Sequence, residues 1–311
     1  MTTATIYAEF AAREAHGVSP SYERLSTAVA RDDELLGLLG RLPPAKRQPN
    51  LLFAVVSFLG GPVGDPAAFR GYTADNWPVI EDQLRSRATQ TNEPGRCAVL
   101  LPVLAALPQP LALLDVGASA GLCLYPDRYS YRYGDGQIGT GDPVLECAAS
   151  GIGLPARLPA VVWRAGLDLN PLDVTDPADL RWLDALIWPE HAHRRARLRA
   201  AAARVAADPP LLVRGDLVDD LPALAGQAPA DATLVVFHTS VLYQVPAPRR
   251  EAFIATVRSL PGHWIANETP DVLGFPGLPA PPGAALQNVL SLDGTPLAWN
   301  RPHGQSMTWF R

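Results

Sequence analysis

The residues whose types and spacing best suit chemistry are Asp115, Gly117, Ser119 and Gly121, in the run Leu111-Ala112-Leu113-Leu114-Asp115-Val116-Gly117-Ala118-Ser119-Ala120-Gly121-Leu122. An apolar strand ends in an acid, a turn of small residues follows, and a helix is expected to start near Leu122. Small side chains let the backbone come close to a ligand, and a doubly wound α/β sheet builds its nucleotide-shaped pocket in this way. The same letters spell Gly-x-Ser-x-Gly, the nucleophile elbow of serine hydrolases. Ser119 would then be the nucleophile, with Asp216 as the acid and His303 as the late histidine. That scheme leaves Asp168 without a role, lacks a glycine run for an oxyanion hole, and needs strands before Leu111. A dinucleotide fold fits less well still. Ser119 and Ala120 break the Gly-x-Gly-x-x-Gly spacing, and Asp115 would repel a phosphate.

Four further polar segments follow apolar runs in the same manner: Asp168-Leu169-Asn170-Pro171, Gly215-Asp216-Leu217, His238-Thr239 and Asn267-Glu268. In a parallel sheet such ends share one edge, and ligands bind there. A histidine such as His238 is the side-chain type suited to taking a proton from an acceptor hydroxyl or amine near neutral pH. The segment Thr91-Asn92-Glu93-Pro94-Gly95-Arg96 has two readings: a helix cap, or a substrate segment with Glu93 and Arg96 aimed at a polar or zwitterionic ligand. Arg128, Tyr129 and Tyr131 either line an acceptor pocket or pack. The run from His191 to Arg199 reads as a solvated helix face. Its His191 and His193 are spaced i, i+2 and share no helix face, which argues against a metal pair.

These residues must be held by two kinds of segment. Residues 1–108 read as a helical N-terminal cap domain. Helices are expected over Ile6–His16, from the Ser19-Pro20 start, from Asp32 to Leu39, over Leu51–Leu59 with Asn50 as cap, over Asn76–Ala88 and over Cys97–Leu107. Residues 109–311 read as a Rossmann-like, methyltransferase-type domain. Its strands are expected at Leu111–Val116, Val161–Leu167, Leu211–Arg214, Ala232–His238 and His263–Asn267. Helical stretches (177–186, 189–207, 248–260) lie between them. Tyr129 to Tyr133 suggests a short strand in an inserted hairpin. Asp293-Gly294 signals a C-terminal antiparallel hairpin, in which Pro296 would confine its strand to an edge. The Pro/Gly-rich piece 274–282 reads as a lid or connector.

Composition excludes several classes. The 311 residues are 48% hydrophobic and 18% charged, with formal charge −5 and a pI near 5.7. That leaves no basic footprint for nucleic acid or an anionic membrane. Cys97, Cys123 and Cys147 are widely spaced, which argues against a disulfide framework or structural zinc. No signal-peptide pattern opens the chain, and Leu51–Leu59 is too short to cross a bilayer. A cytoplasmic location and a small-molecule partner are the expectation.

The acidic glycine turn resembles that of class I S-adenosylmethionine-dependent methyltransferases, with Ser119 where the middle glycine often lies. Over nearly its whole length the chain also resembles the bacterial, largely actinobacterial DUF2332 family. The residues that carry this second likeness are Arg47-x-Pro49-Asn50, Gln90-Thr91-Asn92-Glu93-x-Gly95-Arg96-Cys97, Gly117–Leu122, Asp127-Arg128-Tyr129, Gly166-x-Asp168-Leu169-Asn170-Pro171, Trp188-Pro189, Gly215-Asp216, Phe237-His238, Asn267-Glu268 and Pro302-His303-Gly304. Cys123 departs from the asparagine expected there. The family resembles a branch of the class I methyltransferases, which implies an α/β class I methyltransferase-like Rossmann sheet with the helical domain covering it. It implies S-adenosylmethionine as cofactor and S-adenosylhomocysteine as product. Asp115, Gly117, Ala118, Ser119 and Gly121 would hold the amino-acid end, Asp168 with Leu169 the ribose, and Asp216 with Leu217 the adenine. His238, Glu93 and Glu268 would be catalytic, and Asn92, Arg96, Tyr129 and Asn267 would bind a small polar methyl acceptor. A sensor or scaffold that binds the nucleoside without transferring a methyl is the alternative.

Overall fold

The computed structural model describes residues 1–311. Seven helices precede the first strand: α1 (Thr3–Phe10), α2 (Pro20–Val29), α3 (Asp33–Gly40), α4 (Pro49–Phe58), α5 (Pro66–Asp75), α6 (Trp77–Ser86) and α7 (Cys97–Ala106). The strands are β1 (Leu111–Val116), β2 (Ser130–Tyr133), β3 (Gly136–Ile138), β4 (Val144–Glu146), β5 (Ala148–Ser150), β6 (Val161–Asp168), β7 (Leu211–Arg214), β8 (Thr233–Thr239), β9 (His263–Glu268), β10 (Asn288–Leu292), β11 (Thr295–Asn300) and β12 (Ser306–Trp309). Among the later strands lie α8 (Pro177–Ala185), α9 (Ala192–Ala207), α10 (Leu221–Ala225), α11 (Ala247–Ser259) and α12 (Pro270–Leu273). Two compact units result: Met1–Thr91 with Thr175–Ala196, and Asn92–Val174 with Arg197–Arg311. Compared with the expected division at residue 108, residues 92–108 go with the sheet and residues 175–196 with the helices.

The helical unit is built around α4, whose apolar residues, Leu51 to Val56 and Phe58, are buried nearly all round. Phe53 meets Tyr7, Phe10, Tyr22 and Phe69, and Trp188 meets Phe10 and Tyr22. Edge-on and tilted aromatic contacts of this kind add to the burial energy of the rings. Side-chain caps set the helix starts: Ser19 accepts from the Tyr22 amide, Asp32 from Leu35 and Asp65 from Ala68. Asn50 is not a cap. It lies inside α4, and its Oδ1 accepts from the Trp188 indole at 3.0 Å. Helix α5, signalled by Asp65-Pro66, goes beyond the expected set, and α9 starts at Ala192 instead of Pro189.

In the second unit, nine strands form one sheet in the order β5-β12-β11-β10-β9-β8-β1-β6-β7. The five strands β7-β6-β1-β8-β9 are mutually parallel. In chain order they are third, second, first, fourth and fifth, the doubly wound arrangement whose order reverses between β1 and β8. Strands buried on both faces read as continuous apolar runs, as Leu111–Leu114 does. One sheet face carries an apolar core of Leu114, Val116, Val236, Trp264 and Ala266 with Leu221, Leu224, Phe253 and Val257 of α10 and α11. Strands β10, β11 and β12 continue the sheet as an antiparallel meander.

Two expectations fail here. No α-helix follows the glycine turn; a single 3-10 turn, Leu122–Leu124, stands in its place. Pro126 ends it, because proline lacks the amide and disfavours a helical residue before it. The chain then enters the small sheet β3-β2-β4. Pro296 is also not on an edge strand, since β11 pairs on both sides. It lies at a register shift in the β10–β11 ladder, where Ser291 faces Pro296 but Leu290 faces Ala298, and bulges tolerate proline.

Candidate functional site

The ends of β1 and β8 flank the point where the strand order reverses. After β1 the chain turns through left-handed conformations at Gly117, Ser119 (φ 52°) and Gly121. After β8, Ser240 does the same (φ 55°). Non-glycine residues pay a conformational cost there and cluster at functional sites. The Ser119 amide donates to Asp168 Oδ2 at 2.8 Å, and the Leu172 amide to the Ser119 carbonyl at 3.1 Å. Asn92 clamps the turn: its Nδ2 donates to the Ala118 carbonyl (3.1 Å), and its Oδ1 accepts from the Leu122 amide (2.9 Å). A Cβ on Gly117 would lie 2.5 Å from Val241 Cγ2, so glycine is required for Val241 to seat there.

Sheet register places a row of polar side chains on the face opposite the α10–α11 core. Asp115 pairs with Phe237; Thr239, two residues on, lies on the same face and pairs with Asn267. Asn267 pairs with Leu290, which puts Asn288 on this face, and Asn288 pairs with Asn300. Asp115, Thr239, Asn267, Asn288 and Asn300 are all buried. The Asp115 carboxylate makes no hydrogen bond. Burial pushes its pKa well above the usual carboxylate range, with neighbouring Cys123 adding to the rise and Arg96 opposing it. Ser119 Oγ is likewise buried without a partner, so no base touches it and a hydrolase triad is not assembled.

Arg96 and Glu93 belong to the 3-10 turn Pro94–Arg96 and its cap. Arg96 donates to the Thr239 carbonyl (2.7 Å) and Oγ1 (3.1 Å) and to the Pro302 carbonyl (3.1 Å). Glu93 Oε1 accepts from the Gly95 amide and pairs with Arg197 at 2.9 Å. A Cβ on Gly304 would lie 2.0 Å from the Gly95 carbonyl oxygen, so the Pro302–Gly304 turn packs backbone to backbone on this segment.

Several residues expected to do chemistry hold the scaffold instead. His238 and Glu268 point to the core face and are fully buried. His238 Nδ1 meets Glu268 Oε1 at 2.7 Å, and its Nε2 accepts from the Trp264 indole at 3.0 Å. An indole N–H only donates, so Nε2 carries the lone pair and Nδ1 the proton; neither nitrogen is placed to serve as a base. Glu268 Oε1 also accepts from the Val241 and Leu242 amides, fixing the segment that seats on Gly117. Tyr129 is buried, with its hydroxyl on the Leu122 carbonyl. Asp216 caps Val218 and Asp219 and pairs with Arg249, while Leu217 packs on the apolar core. Asp168 Oδ1 holds the Asn170 amide (2.7 Å), and Leu169 beside it is 71% exposed. The sequence reading named Thr239 as part of a polar strand end without giving it a role, and it missed Ser240, Asn288 and Asn300. Polar residues at the ends of the apolar runs 288–292 and 295–300 were the available signal.

The family model described as an uncharacterized protein conserved in bacteria (DUF2332) matches residues 4–309. The chain belongs to this family. No curated protein and no solved structure matches this DUF2332 chain. No helix is long and apolar enough to cross a membrane.

Proposed function

We propose that this DUF2332 protein binds S-adenosylmethionine at the Asp115–Gly121 turn and transfers its methyl group to a small polar molecule. The observation that carries the reading is the Asp115 carboxylate: buried, without a hydrogen bond, beside a glycine turn at the reversal point of a doubly wound sheet. Buried carboxylates are ordinarily paired, and an ammonium group is the natural complement. Ser119 Oγ, also buried and unpaired, fits the same amino-acid end, and Asp168 with exposed Leu169 fits the ribose side. Asp216 is held by Arg249 and its own turn, so no adenine contact is assigned to it.

The cofactor supplies an electrophilic methyl carried on a sulfonium. The protein's part is alignment: Asn92 and Asp168 fix the turn, Glu268 and His238 fix Val241 against Gly117, and Arg96 ties Thr239 to the Pro302 carbonyl. No histidine is assigned as a base. Titration calorimetry with S-adenosylmethionine and S-adenosylhomocysteine tests the reading. Asp115→Ala is expected to weaken both about tenfold or more, as loss of a charged hydrogen bond does. Absence of binding to the wild-type chain, or equal binding by the variant, removes the assignment.

A further inference from the structure

The three asparagines of the polar row carry a hydrogen-bonding pattern that the protein itself does not complete. Asn288 Nδ2 donates to Ser240 Oγ (2.9 Å) and the Asn267 carbonyl (3.4 Å). Asn300 Nδ2 donates to Asn267 Oδ1 (2.9 Å) and the Asn288 carbonyl (3.4 Å). Backbone carbonyls only accept, so these contacts fix which end of each amide is nitrogen. What is left over is equally fixed. Asn288 Oδ1 and Asn300 Oδ1 are acceptors and Asn267 Nδ2 is a donor, all buried and all without a partner. Unmet polar atoms are costly in a low-dielectric interior and are rare in native proteins. Three on adjacent strands of one sheet face, at the ligand-binding edge, form a pattern.

Two acceptors and one donor are the complement of a primary carboxamide, which offers two N–H donors and one carbonyl. A carboxylate lacks the donors, and an ammonium lacks the acceptor. Arg96, beside the row, has its Nε and Nη1 donors already on carbonyls and a hydroxyl. We infer that Asn267, Asn288 and Asn300 recognise a small molecule bearing a primary carboxamide. That this molecule is the methyl acceptor rests on the methyl-transfer reading; the recognition itself does not.

The test uses the full chain and three probes: acetamide, acetate and methylammonium. Each is titrated while the side-chain amide resonances of Asn267, Asn288 and Asn300 are followed by NMR. Acetamide is expected to shift them saturably, and the other two are expected to leave them in place. Asn288→Ala and Asn300→Ala are each expected to weaken the acetamide response about fivefold or more, read on the asparagines that remain. The probe comparison in the wild-type chain stands even if a variant misfolds. No saturable shift with acetamide, or an equal one with acetate, overturns the inference. S-adenosylhomocysteine is titrated in parallel on the backbone amides of Gly117 and Gly121. A response to acetamide alone removes the methyl-transfer reading and leaves the carboxamide site; a response to S-adenosylhomocysteine alone does the reverse.

Discussion

At the scale of single residues, Asp115 and His238 exchange the roles their types suggest. The acid at the end of β1 is buried unpaired, whereas the histidine at the end of β8 has both ring nitrogens engaged. In the unfolded chain the Asp115 carboxyl ionises near 4; in the folded chain it ionises at higher pH. Between those values the folded state holds the extra proton, so this group's contribution to stability is present at acid pH and is lost as pH rises through the folded value. Asp115→Asn is therefore expected to raise the melting temperature at pH 8 by about 2–4 °C and to raise it less at pH 5, as scanning calorimetry at both values would read. A cationic ligand favours the ionised form, so its affinity for the wild-type chain should increase with pH. His238→Ala removes one partner from a buried pair and opens a cavity beside Trp264. Urea unfolding should show a loss of roughly 3 kcal/mol; an unchanged midpoint would mean that the histidine does not brace the fold. The sequence pointed to both residues through their place at strand ends, but not to which sheet face each one takes.

At the scale of elements, the glycine turn depends on a residue outside it. Asn92 supplies two hydrogen bonds across the turn, each worth about 1 kcal/mol net. Asn92→Ala is expected to speed hydrogen exchange at the Leu122 amide while β1 itself stays protected. The five parallel strands were legible because each is an apolar run closed by a polar end. The antiparallel extension was legible from Asp293-Gly294, but its register was not. Counting back evenly from that turn sets Asn288 opposite Trp299, whereas the bulge at Pro296 inserts one residue and sets it opposite Asn300. A one-residue slip moves a whole strand to the other face, so the polar row was out of reach of pattern reading. The helix expected after Gly121 failed for a local reason that was in view, Pro126.

At the scale of the whole molecule, the helical unit is discontinuous. Its first segment, Met1–Thr91, is completed by Thr175–Ala196, where Trp182 packs on Phe58 and Trp188 on Phe10 and Tyr22. Sequence reading placed a boundary at a change of pattern from helices to strands; it had no means of seeing a later excursion rejoin the earlier helices. A deletion of residues 1–91 leaves those tryptophans without their partners. It is expected to bind more hydrophobic dye and to aggregate more than the intact chain; a truncation equal to the intact chain in both would show that segment 175–196 folds without the first.

The central position of β1 has a consequence for assembly during synthesis. Its two neighbours, β6 and β8, begin at Val161 and Thr233, so it leaves the ribosome long before either flank exists. Pairings between residues distant in the chain are slow to form and leave apolar segments uncovered meanwhile. Leu111–Leu114 is thus an apolar stretch of nascent chain that waits for both of its sheet partners, and the glycine turn takes shape only after β8 has been made.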